Sequence, residues 1–411
     1  MSAGRQVDRR RFILTSVGSL ASAASARHAA LTSLEAQRPP RGPSPTWLPS
    51  ADLLLRLPRL LELGEVPGLS FAVVSGGRVW ERGFGMASVD PHAPVTDDTV
   101  FEAASLGKVV FATLVLRMVE AGRLALDRPV YEYLPGPEAD SPGMRRVTVR
   151  HVLSHTTGLP NWRKTPGPLV PTTEPGTQFT YSGEGFFYLQ RVVEAVSGRP
   201  IARLLEENVL RPLGMTQSSY VWRPEYEQRM AVGYDAQGNR EEVFAAMGRR
   251  AYIIAREWGK PLLDWRYEDA ARTVQLIKQE WPILPVYMVP NVASSLLTTA
   301  RDYARFLLAT TATPPDRALG LSPASLEAMG TLQVRINSAL GWGLGWGIQD
   351  DEYGRVLWQW GANNSFRNFA LVDRINRRAI VVLTNSENGT PVYERVIASL
   401  TGHDHPAFLR A

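Results

Sequence analysis

The apolar positions of the chain fall into helical and strand patterns whose order along the sequence predicts the architecture. Over residues 53 to 63 leucines recur at helical spacing. Two short runs follow, 69 to 75 and 78 to 84, joined by Gly76-Gly77, and they predict a β-hairpin. Residues 101 to 118 predict one buried helix. After Lys108 the run Val109, Val110, Phe111, Ala112, Leu114, Val115, Leu116 and Met118 is apolar on nearly every face, which only an enclosed helix tolerates. From there to about residue 330 helical patterns are broken by proline and glycine, with connections at 130–134 and 158–160. Strand patterns return at 343–348, 356–359, 368–372 and 379–384, before a last helix over 392–400. Strands at both ends with helices between them predict an α+β fold. It has one antiparallel sheet built from the N- and C-terminal segments, flanked by helices, and an inserted, mostly helical lobe. A cleft between the two would open beside residue 105.

The first 26 residues break this scheme. Arg9-Arg10-Arg11-Phe12-Ile13-Leu14 resembles a twin-arginine motif, a small-residue apolar segment follows, and Ala24-Ser25-Ala26 suits cleavage. The expectation is an exported protein, periplasmic or secreted. The apolar segment is shorter than the roughly 20 residues a membrane span needs, and no later segment is long and apolar enough. Residues 27 to 47, with Pro39-Pro40-Arg41-Gly42-Pro43, read as a linker, leaving 48–411 as the folded domain.

Composition changes this picture in three places. The formal charge of +5 falls to about +2 without the first 26 residues, so the basic balance gives no argument for nucleic acid. There is no cysteine, which excludes disulfides, thiolate nucleophiles and cysteine metal sites. Lysine is nearly absent, four residues against 41 arginines. One of the four, Lys108, stands three residues after Ser105, on the same face of the predicted helix and about 4.5 Å along its axis. Arginine cannot give up its proton, whereas a desolvated lysine can, so Ser-x-x-Lys at the head of an apolar helix suits a base-activated serine. Taken alone, the pair is equally consistent with a solvated helix end.

Five further blocks accompany it: Val66-Pro67-Gly68-Leu69, then 147–160 with His151-Val152-Leu153-Ser154-His155-Thr156-Thr157-Gly158-Leu159-Pro160, Pro175-Gly176-Thr177-Gln178-Phe179-Thr180-Tyr181-Ser182-Gly183, Arg211-Pro212-Leu213-Gly214-Met215-Thr216 and Trp360-Gly361-Ala362-Asn363. In this order and spacing, from about residue 53 to about 400, the chain resembles the serine hydrolase family that contains class C β-lactamases, D-alanyl-D-alanine carboxypeptidases and their esterase relatives. The resemblance implies that Ser105 is the acylated nucleophile, Lys108 its partner in deprotonation, and Tyr181 the group that passes a proton to the leaving group. It further implies an oxyanion hole between the backbone N–H groups of Ser105 and Asn363, substrate contacts at Gly183, Trp360, Gly361 and Ala362, and no cofactor.

Two departures bear on the substrate. The asparagine that holds a substrate amide in penicillin-recognising members is Gly183, and the lysine or histidine opening the last block is read as Trp360. Both losses point away from β-lactams and toward small or medium acyl esters, the esterase branch, with an indole as an apolar wall. A D-alanyl-D-alanine carboxypeptidase, a D-amino-acid amidase or a weak β-lactamase is the alternative within enzymes. A non-catalytic acyl-binding or sensor domain would not need Lys108 and Tyr181 together. The partner expected is a small-molecule ester or amide. Arg367 is read as a surface arginine, the alternative being a positive charge supplied near the last block. No Gly-x-Ser-x-Gly elbow occurs. His151 and His155 have the spacing to share a helix face, but lack the glutamate of a His-Glu-x-x-His site, so no metal is expected. His403-Asp404-His405 reads as a solvated tail. Residues 240 to 290 depart from the family, with helical patterns at 241–258 and 267–281 and with Trp258, Trp265 and Trp281. They form either an extra packed layer or a lid shaping an apolar acyl pocket.

Overall fold

The computed structural model describes residues 46–312 and 319–410. The expected signal segment and nearly all of the linker lie outside the described residues. The linker reading fails at its last residue. Trp47 is 3% exposed, with the Arg378 guanidinium 4.5 Å from its ring centroid, and so belongs to the folded domain.

Helix α1 (Ala51–Leu63) opens at Ser50, whose hydroxyl accepts the Leu53 N–H, and buries Leu53, Leu57 and Leu61. The hairpin β1 (Gly68–Ser75) and β2 (Arg78–Ser88) turns on Gly76 and Gly77, both at positive φ as a tight turn requires. Strands β3 (Ala93–Pro94) and β4 (Phe101–Ala104) precede α2 (Gly107–Glu120). The single helix expected over 101–118 is therefore two elements. Phe101–Ala104 pairs with a later strand, and an all-apolar pattern cannot separate a buried strand from a buried helix.

The helical lobe holds α3 (Val149–Leu153), α4 (Gly183–Ser197), α5 (Ile201–Leu205), α6 (Val243–Glu257) and α7 (Tyr267–Ile277), the last two inside the atypical stretch as the pattern predicts. Then come β5 (Leu296–Thr298), α8 (Ala300–Thr310), α9 (Pro323–Gly330), β6 (Val334–Arg335), β7 (Leu340–Trp342), β8 (Gly347–Asp351), β9 (Gly354–Asn363), β10 (Phe366–Asp373), β11 (Arg378–Thr384) and α10 (Gly389–Thr401). The strand expected over 343–348 is instead a turn into β8. Gly345 has φ +97°, and a Cβ at Gly343 would lie 2.2 Å from the Met329 carbonyl oxygen.

Nine strands form one antiparallel sheet in the order β3-β2-β1-β11-β10-β9-β8-β7-β6, so the two ends of the domain meet at β1 and β11. Its strands alternate between two apolar layers. Phe71, Val73, Phe369, Leu371, Ile380 and Val382 pack with α1 and α10, while Ala72, Val74, Ala370, Val372, Val381 and Leu383 face the layer that contains α2. A sheet covered on both faces reads as continuous apolar runs, which is what 379–384 shows. Each fully buried Leu, Val or Phe contributes about 1.5–3 kcal/mol to this core. Helix α6 adds a third cluster around Trp222, Tyr226 and Trp265, and α7 packs Ala270 and Val274 against Phe187 and Met288.

The C-terminal tail is not solvated as expected. His405 is buried, its ring nitrogens 3.0 Å from Gln349 Nε2 and 3.0 Å from Thr401 Oγ1, because the chain folds back and the Ala407 N–H donates to Gln349 Oε1. Among the described residues no helix is long and apolar enough to cross a membrane.

Candidate active site

Strand β4 delivers Ser105 to the end of α2, with Ala104 at φ +50°, a conformation unusual for alanine. Two buried phenols hold the first turn: Tyr303 donates to the Leu106 carbonyl at 3.1 Å and Tyr220 to the Gly107 carbonyl at 2.7 Å. A Cβ at Gly107 would meet Leu296 and the Tyr220 ring at 3.0 Å, which leaves little room for any other residue. The spacing of three brings Lys108 Nζ to 2.9 Å from Ser105 Oγ, and the same nitrogen donates to the Ala293 carbonyl at 2.7 Å. Lys108 is 1% exposed, and burial brings its ammonium down to about 7. A neutral amine can therefore form here, keep its bond to Ala293 and accept the Ser105 proton.

Tyr181 reaches the Ser105 side chain, and burial pushes its phenol up, against ionisation. The base supported by this geometry is Lys108, with Tyr181 kept protonated. His155 fixes the tyrosine. Its carbonyl accepts the Thr180 N–H at 2.7 Å, its Nδ1 accepts the Ser182 N–H at 3.0 Å, and its ring stacks on Tyr181 with centroids 4.2 Å apart. His155 lies beyond the end of α3 at φ +54°, so it shares no helix face with His151. Among the described residues no cluster of three or more His, Asp or Glu side chains could hold a metal.

The last block sits differently from its reading in the sequence. Asn363 faces Phe366 across a two-residue turn, and such a pair exchanges both its backbone hydrogen bonds. The Asn363 N–H is therefore spent on β10, and the neighbouring Ala362 N–H points to the open edge of β9. The partner of Ala362 agrees: the Arg367 carbonyl accepts Thr384 Oγ1 at 2.7 Å, so its backbone polar groups turn toward β11. The donors available to an oxyanion are thus the N–H groups of Ser105 and Ala362, correcting Asn363. Asn363 instead donates its side-chain amide to Glu102 at 2.7 Å. Glu102 is 3% exposed, and desolvation, followed by the nearby Glu241 and Glu242, raises its carboxyl to about 7. Gly361 lets β9 approach the segment that carries Ser105, since a Cβ there would lie 2.1 Å from the Ala103 carbonyl oxygen.

The side chain that β9 sends to Ser105 and Tyr181 is Gln359. Its Nε2 donates to the Ser105 carbonyl at 3.0 Å and to Tyr181 Oη at 3.3 Å. The last block therefore opens at Gln359, one residue before Trp360. Trp360 stacks on the Tyr181 ring at 4.5 Å and packs with Trp342 and Trp358. The sequence reading missed Gln359, Ala293, Tyr220 and Tyr303. For Gln359 a signal existed, a lone polar residue in the run Leu357-Trp358-Gln359-Trp360.

Gly183 lies beneath Trp162, where a Cβ would meet the indole at 2.5 Å, so an asparagine could not replace it without moving that ring. Its N–H donates to Asn161 Oδ1 at 2.9 Å. The cleft above Ser105 has about 580 Å³ and is lined by Asn161, Trp162, Phe244, Ser294, Ala362 and Asn363, with Asp235, Glu241, Arg367 and Glu387 at its rim. Arg367 is not a free surface arginine. It donates to the Asn363 carbonyl, to the Asn364 and Phe366 carbonyls at 3.0 and 3.1 Å, and pairs with Glu387 at 3.4 Å. A narrow apolar pocket of about 30 Å³ shares Phe244, Ser294 and Asn363 with the cleft and runs between Trp222, Met247 and Gly248. Phe244, Met247 and Gly248 belong to α6, so the atypical stretch does wall the site. Its tryptophans do not line the cleft or this pocket: Trp265 is buried against Trp258, and Trp281 stacks on Tyr287.

Residues 58–400 match the family model described as Beta-lactamase. Penicillin-binding protein 4 of Amycolatopsis lactamdurans is 29% identical over 309 residues, 70% of this chain and 72% of that protein. A beta-lactamase of Pseudomonas fluorescens is 28% identical over 47% of this chain and 58% of its own length. Among solved structures, the octameric penicillin-binding protein homologue from Pyrococcus abyssi superposes with a TM-score of 0.67 at 22% identity, covering 87% of this chain and 80% of that one. The D-alanine carboxypeptidase AmpC from Burkholderia cenocepacia gives 0.66 at 20% identity, over 85% and 99%. At these identities the two structures establish the fold.

Proposed function

The chain belongs to the Beta-lactamase family of serine hydrolases, and we propose that within it this member is a carboxylesterase for short acyl esters, forming its acyl-enzyme on Ser105. The observation that carries the proposal is the apolar pocket beside Asn363, which has room for a small acyl group and offers little that would fix an amide or a carboxylate. The rim supports it: three carboxylates, Asp235, Glu241 and Glu387, surround one guanidinium already committed to Glu387 and three carbonyls, a poor setting for an anionic substrate.

In this reading the Ser105 hydroxyl gives its proton to neutral Lys108 as Oγ bonds to the ester carbon. The Ser105 and Ala362 N–H groups receive the developing oxyanion. As the bond to the leaving oxygen breaks, Tyr181 protonates the departing alkoxide and recovers a proton from the Lys108 ammonium, leaving the acyl group on Ser105. Water then repeats the sequence to release the acid.

One observation favours a second reading. Asn161 lines the cleft, and its amide nitrogen can donate to a substrate amide carbonyl in place of the asparagine absent at 183. Turnover of p-nitrophenyl acetate and butyrate, of D-alanyl amides and of the cephalosporin nitrocefin separates the two. The esterase reading expects the esters to lead, and nitrocefin turned over faster than every ester would overturn it.

A further inference from the structure

We propose that Gln359 is a positioning residue that sets the direction in which Tyr181 gives its proton. The inference rests on the esterase reading and on the geometry of one buried side chain. Gln359 is fully buried, on the pleat that faces the nucleophile loop. Its nitrogen end is identified by chemistry, because the Ser105 carbonyl 3.0 Å away can only accept. A carboxamide nitrogen carries two hydrogens. With one on that carbonyl, the other falls to Tyr181 Oη at 3.3 Å.

A phenol oxygen has one proton and two lone pairs. Where Gln359 occupies a lone pair, the Tyr181 proton must point elsewhere, toward Ser105 and the leaving oxygen it carries. The donor is neutral, so it orients the phenol without drawing the proton off, whereas a cation at the same place would favour the phenolate. The surroundings agree: His155 and Trp360 hold the ring by stacking but offer no bond to its oxygen, and Gln359 supplies one. The second bond, to the Ser105 carbonyl, ties the same amide to the nucleophile, so proton donor and acyl carrier share one reference point.

This role predicts an effect that depends on the leaving group. A p-nitrophenolate departs without help, and an alkoxide does not. Gln359→Met keeps the side-chain length and removes the donor. Its kcat/KM on ethyl butyrate, which reports acylation alone, is expected to fall about tenfold or more, while kcat/KM on p-nitrophenyl butyrate changes less than about threefold. Gln359→Glu, nearly isosteric, carries the same test if the methionine variant does not fold, since its carboxylate accepts where the amide donated. Equal fractional losses of kcat/KM on both esters, or no loss on either, would overturn the proposal, because a merely structural residue does not distinguish leaving groups. If the wild-type chain hydrolysed no ester, the esterase reading would fail separately. The same comparison between an alkyl amide and a p-nitroanilide would then test Gln359.

Discussion

Lys108 Nζ and Ser105 Oγ lie 2.9 Å apart, and what lowers the lysine is burial. No carboxylate is paired with it among the described residues, so desolvation outweighs the two aromatic rings and the carbonyl that its nitrogen meets. Ser105→Ala is expected to abolish labelling by a fluorophosphonate probe together with turnover. Lys108→Arg keeps a cation and loses the base, and is expected to cost on the order of a hundredfold or more in kcat. A covalent adduct on another serine in the alanine variant would defeat the assignment.

The same lysine fixes a pH dependence. In the proposed mechanism its free amine is the working form, and burial brings it to about 7, so kcat/KM should rise with pH through about 7 and level off above it. Glu102 titrates in the same range but does not touch Ser105, so Glu102→Gln should keep this limb. A profile flat from about pH 5.5 to 8.5 would contradict Lys108 as the base.

Glu102 predicts a stability effect instead. Its folded value of about 7 stands above the ordinary 4.5, so between those two pH values the folded chain holds a proton that the unfolded chain has released. Stability from this group is full below about 4.5 and is lost as pH rises toward 7. Glu102→Gln, whose amide oxygen can still accept from Asn363, should lessen the fall in urea midpoint between these pH values. Glu194, also raised to about 7, keeps part of it. An unchanged fall in the variant would exclude Glu102 as a source.

Acyl preference should follow α6. Met247→Ala widens the narrow pocket. Gly248→Val narrows it, because a Cβ at Gly248 already lies 3.4 Å from Trp222 and any further bulk must enter the free space. The ratio of p-nitrophenyl butyrate to acetate turnover is expected to rise in the first and fall in the second, by roughly tenfold for a pocket that discriminates by methylenes. Identical ratios would show that the acyl group goes elsewhere. Deleting 245–281 is not an equivalent test, since Ala251, Ile254 and Trp265 are buried there and their loss would unfold the lobe.

Export is proposed from the Arg9-Arg10-Arg11 run. The double variant Arg9→Lys, Arg10→Lys should accumulate as precursor in the cytoplasm. Normal processing, followed by immunoblot of cell fractions, would point to another route.

The sequence by itself determined what depends on near neighbours and on coarse pattern. The hairpin at Gly76-Gly77, the sheet joined from both ends, the helical lobe between, and the spacing that puts Lys108 beside Ser105 all follow from turn chemistry and periodicity. Those signals act over a few residues and are written in consecutive positions. Other features needed the tertiary structure. Phe101–Ala104 is a strand only because Leu296–Thr298 comes alongside it, and His405 is buried only because the tail returns to Gln349. The site turned on a one-residue shift, Gln359 for Trp360 and Ala362 for Asn363. In a strand, neighbouring residues point to opposite faces and alternate backbone groups face opposite edges, so the choice rests on ladder register, which pairs β9 with β10 across a turn. Gln359 and Ala293 meet Ser105 from far along the chain, and no local pattern carries such a contact. Packing creates it, when Gly361 lets one strand's edge close on the nucleophile loop.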